Sequence, residues 1–118
     1  MKLLVGTDIE SVDRFKKLIQ QKKKLIKNIF FESEYNYAFN KSNSVQSLTG
    51  IWCAKEAVVK SFSQFKVITI KNVEIICSKN SAPKAIIKNF PTEDLKFNIS
   101  ISISHTKEFA TAVAILTI

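Results

Sequence analysis

The sequence predicts an α+β fold in which an N-terminal strand and several helices pack on an antiparallel sheet. Three observations carry that reading. An apolar run rich in β-formers spans 2–9. Residues with helical spacing then fill the chain to about 62, and β-branched residues dominate from about 67 onward. Near the end, Phe97, Ile99, Ile101 and Ile103 alternate strictly with Asn98, Ser100, Ser102 and Ser104, the period of a strand with one buried face. One strand, then helices, then a run of strands is an α+β order.

Each element has its own signal. After the first strand, Ser11 is placed to cap a helix, with Asp13 in the first turn where the helix dipole favours an acid. That helix is expected over 12–27, with Phe15, Leu18, Ile19, Leu25 and Ile26 on its apolar side. Lys22, Lys23 and Lys24 interrupt the stripe, which puts any break at 20–24. A short helix is expected over 32–40, with Tyr35 and Phe39 one turn apart. The clearest helix covers 45–62 behind the loop Ser42-Asn43-Ser44. Residues 67–70 and 72–77 read as strand, 79–83 as a turn, 84–87 as a short strand and 90–94 as a loop. Residues 104–107 turn the chain into a last buried strand over 109–118.

Composition narrows the class. The 118 residues, 46% of them hydrophobic, suit one compact domain over 1–118, with no repeat or linker inside it. Lys+Arg number 18 against 10 Asp+Glu, a net charge of +8, and Arg14 is the single arginine. Such an excess favours an anionic partner: nucleic acid, a membrane surface, a polyphosphate or an acidic protein. Part of it also reads as lysine used wherever a solvated cation suffices. Cys53 and Cys77 lack metal-type spacing and read as reduced core thiols of a cytoplasmic protein. The N-terminal apolar run is too short for a signal peptide, and 109–118 is about half the length of a membrane span.

Several residues resist a purely structural account. Leu48, Ile51, Trp52, Val58, Val59 and Phe62 form the core-facing side of the central helix, yet Lys55 and Glu56 fall inside it. As sequence neighbours these two point about 100° apart and do not pair with each other. The bland reading is a snorkelling Lys55 and a Glu56 bridged to a strand lysine. Lys60 lies one turn after Glu56, where a pair is a common surface stabiliser but also places a cation beside a phosphate. Asp8, near the end of the first strand, suits a metal ligand or a solvated turn. His105, the only histidine, falls in an expected turn. There is no glycine-rich phosphate loop, zinc cluster or nucleophile elbow.

Three segments in order are more telling than any one. Val5-Gly6-Thr7-Asp8-Ile9 with Arg14 after it, Trp52-Cys53-Ala54-Lys55-Glu56-Ala57-Val58-Val59-Lys60, and Ser102-Ile103-Ser104-His105-Thr106 running into Ala110-Thr111-Ala112-Val113 resemble the holo-acyl-carrier-protein synthases, the small branch of the 4′-phosphopantetheinyl transferases. Phe31 to Glu34 resembles a further, weaker family segment. The likeness covers nearly the whole chain. It implies an enzyme that moves 4′-phosphopantetheine from coenzyme A to a serine of an acyl-carrier protein, in support of fatty acid biosynthesis. It implies Mg²⁺ held by Asp8 and Glu56, a phosphate contact from Lys60, and either structural support or a phosphate contact from Lys55. Glu56 is then the candidate base, and Asp8, Glu56 and Lys60 the catalytic set. His105 and Thr106 resemble residues that reach the nucleotide from a neighbouring subunit of a homotrimer.

The same resemblance gives the charge a purpose. Carrier proteins are acidic, and the family docks them on its first helix, where this chain has Arg14, Lys17, Lys22 and Lys24. The chain also departs from the family pattern. Ser11 occupies a place that is often acidic, with Glu10 one residue earlier, so Glu10 does not inherit that role. Ile51 replaces a frequent arginine, and Ser61-Phe62-Ser63-Gln64 replaces the glycines usual after the helix motif. Ser81-Ala82-Pro83-Lys84 stands where a glycine-lysine-proline-like turn is found. A basic nucleic-acid module is the competing reading. It needs lysines gathered on one face among exposed aromatics, whereas these lysines are spread along the chain. Neither nucleic acid nor membrane is therefore the expected partner.

Overall fold

A computed structural model describes all residues, Met1–Ile118. The elements run β1 (Leu3–Ser11), α1 (Val12–Gln21), α2 (Lys23–Ile29), α3 (Glu32–Phe39), α4 (Ser44–Phe62), a 3₁₀ turn (Ile70–Asn72), β2 (Val73–Ile76), β3 (Lys84–Ile87), β4 (Asn98–His105) and β5 (Phe109–Thr117). This is the expected α+β order. β5 is the middle strand of an antiparallel sheet ordered β1-β5-β4, and β2 and β3 form a separate hairpin.

Alternation decides which sheet face is covered. Ala110, Ala112, Ala114 and Leu116 of β5 are buried, and α4 lies against this face and all three strands. The small residues have a purpose here. A Cβ at Gly6 would lie 2.0 Å from the Ala57 carbonyl oxygen, so β1 and α4 touch backbone to backbone. Ala54 and Ala57 on the helix and the three alanines on β5 keep the layers close. Beyond the helix, Phe62 is fully buried with its ring against Phe65, Phe90 and Phe97, mostly edge-on. The other face of the sheet is uncovered in the single chain. Leu3, Val5, Ile9, Phe109 and Ile115 are 38% to 68% exposed there.

Several boundaries differ from the sequence expectation, each for a local reason. β1 runs two residues past 9, so Asp8 lies within the strand. Ser11 does cap α1, accepting from the Arg14 N–H at 3.2 Å. The 12–27 helix breaks at Lys22, whose N–H still donates to the Leu18 carbonyl. An unbroken helix would carry Lys22 into the apolar row of Phe15, Leu18, Ile19 and Ile26. The strand expected over 67–70 does not form: Val67 is exposed and the chain turns at Ile70–Asn72. The Asn72 side chain accepts from Thr69 N–H and donates to the Lys88 and Asn89 carbonyls. Side-chain bonds thus take the place of a ladder. β4 continues through His105, and β5 is buried on one face only.

Candidate active site

The even-numbered residues of β1 face α4, which brings Asp8 into line behind Leu4 and Gly6. There the Lys60 ammonium donates to Asp8 Oδ1 at 3.2 Å and to the Thr7 carbonyl at 2.9 Å. Gln64 donates to the Val5 carbonyl at 3.1 Å, so two side chains at the end of α4 hold the β1 backbone. Beneath Asp8, the buried Cys53 thiol donates to the Ala110 carbonyl at 3.5 Å. Burial, and then the nearby Asp8 carboxylate, pushes that thiol up to about 12, so it stays protonated.

Glu56 lies on the same side of the helix. It is half-buried and takes part in none of the chain's four ion pairs. Its carboxyl is raised above the usual range, first by burial, then by the charge of Asp8, with Glu10 adding to it and Lys60 opposing. The expected bridge from Glu56 to a strand lysine does not form. No three His, Cys, Asp or Glu side chains make a closed metal cage. Two neighbouring carboxylates, one lacking a cation of its own, are nevertheless a donor set that fits a hard divalent ion completed by water or phosphate oxygens.

Of the two roles open to Lys55, structural support or a phosphate contact to coenzyme A, the structure corrects the second in favour of the first: the side chain is wholly buried and its ammonium meets Glu34 Oε1 at 2.6 Å. It neither snorkels nor reaches any surface where a phosphate could bind. Glu34 also accepts from Phe31 N–H and Ile75 N–H, each at 2.7 Å. Burial raises the Glu34 carboxyl and lowers the Lys55 ammonium, each opposed by the other's charge. The only sequence signal for Glu34 was the weak Phe31-to-Glu34 segment.

His105 lies elsewhere. With Ile51, Gly50, Ser47, Ile103 and Tyr37 it lines a cleft of about 190 Å³ closed by the β2–β3 turn. Helical geometry puts Ser47 and Ile51 about 140–180° around α4 from Glu56. Within one chain the helix therefore separates the His105 cleft from Asp8 and Glu56. Thr106 organises the β4–β5 turn: its hydroxyl accepts from the Glu108 and Phe109 N–H groups. Arg14, Lys17, Lys22 and Lys24 are all exposed along α1 and the start of α2. Arg14 and Lys17 line a shallow cleft with Glu10, Phe15, Leu18 and Gln21, and Lys17 is partly matched by Asp13 at 3.3 Å.

Residues 4–114 match the family described as the 4′-phosphopantetheinyl transferase superfamily. The chain belongs to that superfamily. It is a phosphopantetheinyl transferase by that membership and by its relatives. It is 34% identical over 114 residues to the holo-[acyl-carrier-protein] synthase of Thermodesulfovibrio yellowstonii, with 96% of each chain covered. It is 36% identical over 115 residues to the enzyme of that name from Chlamydia trachomatis serovar D, covering 94% of this chain and 96% of the relative. The fold superposes on the Chronobacterium ammoniagenes ACPS–CoA complex with a TM-score of 0.84 at 22% identity, over 98% and 97% of the two chains. The Helicobacter pylori holo-[acyl-carrier-protein] synthase in complex with coenzyme A superposes at 0.79 with 25% identity, over 97% and 100%. No helix of this transferase is long and apolar enough to cross a membrane.

Proposed function

We propose that this transferase is a holo-acyl-carrier-protein synthase. It takes coenzyme A and the apo form of an acidic carrier protein, and leaves holo-carrier protein and adenosine 3′,5′-bisphosphate. The observation that carries the reading is the seam between β1 and α4, where Asp8, Lys60 and the unpaired Glu56 come together. Residues 1–118 act as one catalytic domain. The carrier serine supplies the nucleophile, so the chain needs none. Its Oγ attacks the phosphorus that bears pantetheine, and the bond to the bridging oxygen of the diphosphate breaks. The electron pair leaves with the adenosine bisphosphate.

In this scheme Asp8 and Glu56 hold Mg²⁺, which when bound neutralises charge on the diphosphate. Lys60 turns its ammonium from Asp8 towards a phosphate oxygen. Glu56 takes the serine proton directly or through one water. His105 and Thr106 belong to the nucleotide end of the site. α4 stands between His105 and Glu56 in one chain, so a single ligand that meets both does so between two chains. The exposed apolar face around Val5, Ile9, Phe109 and Ile115 supplies a contact of the right character for a homotrimer. Arg14, Lys17, Lys22 and Lys24 receive the acidic carrier. The setting is cytoplasmic fatty acid biosynthesis.

Mass spectrometry of an apo-acyl-carrier protein incubated with this chain, coenzyme A and Mg²⁺ tests the reading. The expected result is a gain of one phosphopantetheine, lost with EDTA and in Glu56→Gln. No gain with several carriers, from folded wild-type protein, overturns it.

A further inference from the structure

We infer that the buried Glu34–Lys55 pair is a positioning device for the reaction, fixing the roll of α4 and thereby the place of Glu56. This rests on the functional reading above.

One carboxylate joins three elements. Glu34 stands in the first turn of α3 and accepts from Phe31 N–H at its start. Its second oxygen accepts from Ile75 N–H in β2. Its first oxygen also receives Lys55 from the middle of α4. Both side chains are 0% exposed, and no buried side-chain polar atom in the protein lacks a partner. The Lys55 ammonium also lies 4.8 Å from the Phe31 ring centroid and 5.7 Å from that of Phe30. No solvent reaches the pair, so neither charge has another partner to turn to.

Lys55 and Glu56 are adjacent on the helix and diverge by about 100°. A constraint on one therefore sets the direction of the other. A side-chain tip about 5–6 Å from the helix axis moves about 1 Å for a 10° roll. A displacement of that size at a reacting centre costs up to about a hundredfold in rate. A hydrophobic pair of the same volume would fill the space as well and fold at least as readily. What such a pair does not supply is a directed, three-donor anchor that stops α4 from turning about its own axis.

The test is the double variant Glu34→Gln with Lys55→Met, which removes both charges together. Ile68→Ala, at a buried site that is neither a member of the pair nor one of its hydrogen-bond partners, serves as a control of lowered stability. Melting and circular dichroism establish folding. In the folded double variant we expect kcat for carrier modification to fall about ten- to a hundredfold, with both KM values within about threefold. We expect Mn²⁺ alone, followed by electron paramagnetic resonance, to bind about fivefold or more weakly, because one of its two carboxylates is misplaced. Ile68→Ala should keep wild-type kcat and Mn²⁺ affinity at a similar melting temperature. A folded double variant with wild-type kcat and Mn²⁺ affinity overturns the positioning role and leaves the functional reading intact. Wild-type protein that neither transfers nor binds Mn²⁺ overturns both. Should the double variant not fold, Glu34→Asp keeps both charges and shortens the arm by one methylene. A fall in its kcat supports the anchor, and an unchanged kcat overturns it.

Discussion

Helix α4 carries two lysines that meet carboxylates from other elements, in opposite surroundings. Lys55 and Glu34 lie 2.6 Å apart with both side chains wholly buried. Lys60 and Asp8 lie 3.2 Å apart with side chains 53% and 15% exposed. The chemistry is the same, but the dielectric is not. Water weakens the outer pair and offers each partner an alternative, so Lys60 can be drawn to an arriving anion at little cost. The inner pair has no alternative, and separating it strands a charge in the core. Burial makes one pair a fixed joint. Exposure leaves the other free to exchange partners, as the proposed reaction requires.

The comparison can be broken most sharply from the inside. Lys55→Met should lower the unfolding free energy by about 3–5 kcal/mol, because Glu34 remains buried without its cation. Denaturant midpoints measure this. A loss below about 1 kcal/mol would mean that the two pairs do not differ as described. Lys60→Met should do the reverse, leaving stability within about 0.5 kcal/mol while transfer slows about 10- to 100-fold. Melts run beside steady-state kinetics would separate the two effects.

The exposed cations of α1 extend the contrast to a partner. Arg14→Glu with Lys22→Glu should raise the carrier-protein KM about tenfold at low salt and less at high salt, leaving the KM for coenzyme A alone. Equal losses for both substrates would remove these residues from docking. The smallest effect is expected at Glu74, an intermediate case. Burial would raise its carboxyl, but hydrogen bonds from Ser33 and Lys88 prevail and hold it below its ordinary 4.5. A depressed acid stabilises the fold above its unfolded pKa, and that contribution is lost as pH falls through the folded value. Thermal melts from pH 6 down should therefore show wild type losing more stability below about pH 4.5 than Glu74→Gln does.

The sequence made some of this legible. Period-two alternation placed β4, helical spacing placed α4, and a serine before an acid placed the cap of α1. These are local signals, and local physics decides them. Asp8, Glu56 and Lys60 could be singled out because charges beside buried rows need a reason. Their mutual geometry could not be read, because Lys60 takes a partner more than fifty residues away in sequence rather than Glu56 one turn before it. Lys55 shows the limit most clearly. Its helical phase correctly placed it facing inward. Its partner is on another helix, so a buried lysine and a phosphate-binding lysine look alike in sequence. At 67–70 the β-branched residues promised a strand, but no strand of either sheet pairs with them. Asn72 then bound the backbone in a turn.

The contact at Gly6 bears on how this enzyme could change over time. Where most packed layers meet through side chains that can be resized, β1 and α4 meet through main chain, with 2.0 Å left for a methyl group. Asp8 stands two residues along one side of that contact, and Glu56 is next to Ala57 on the other. The spacing between the two halves of the proposed site therefore cannot drift by gradual substitution. Descendants of this sequence that acquired new substrates would have to do so at the rims, in the β2–β3 turn and along α1, while the centre stayed as it is.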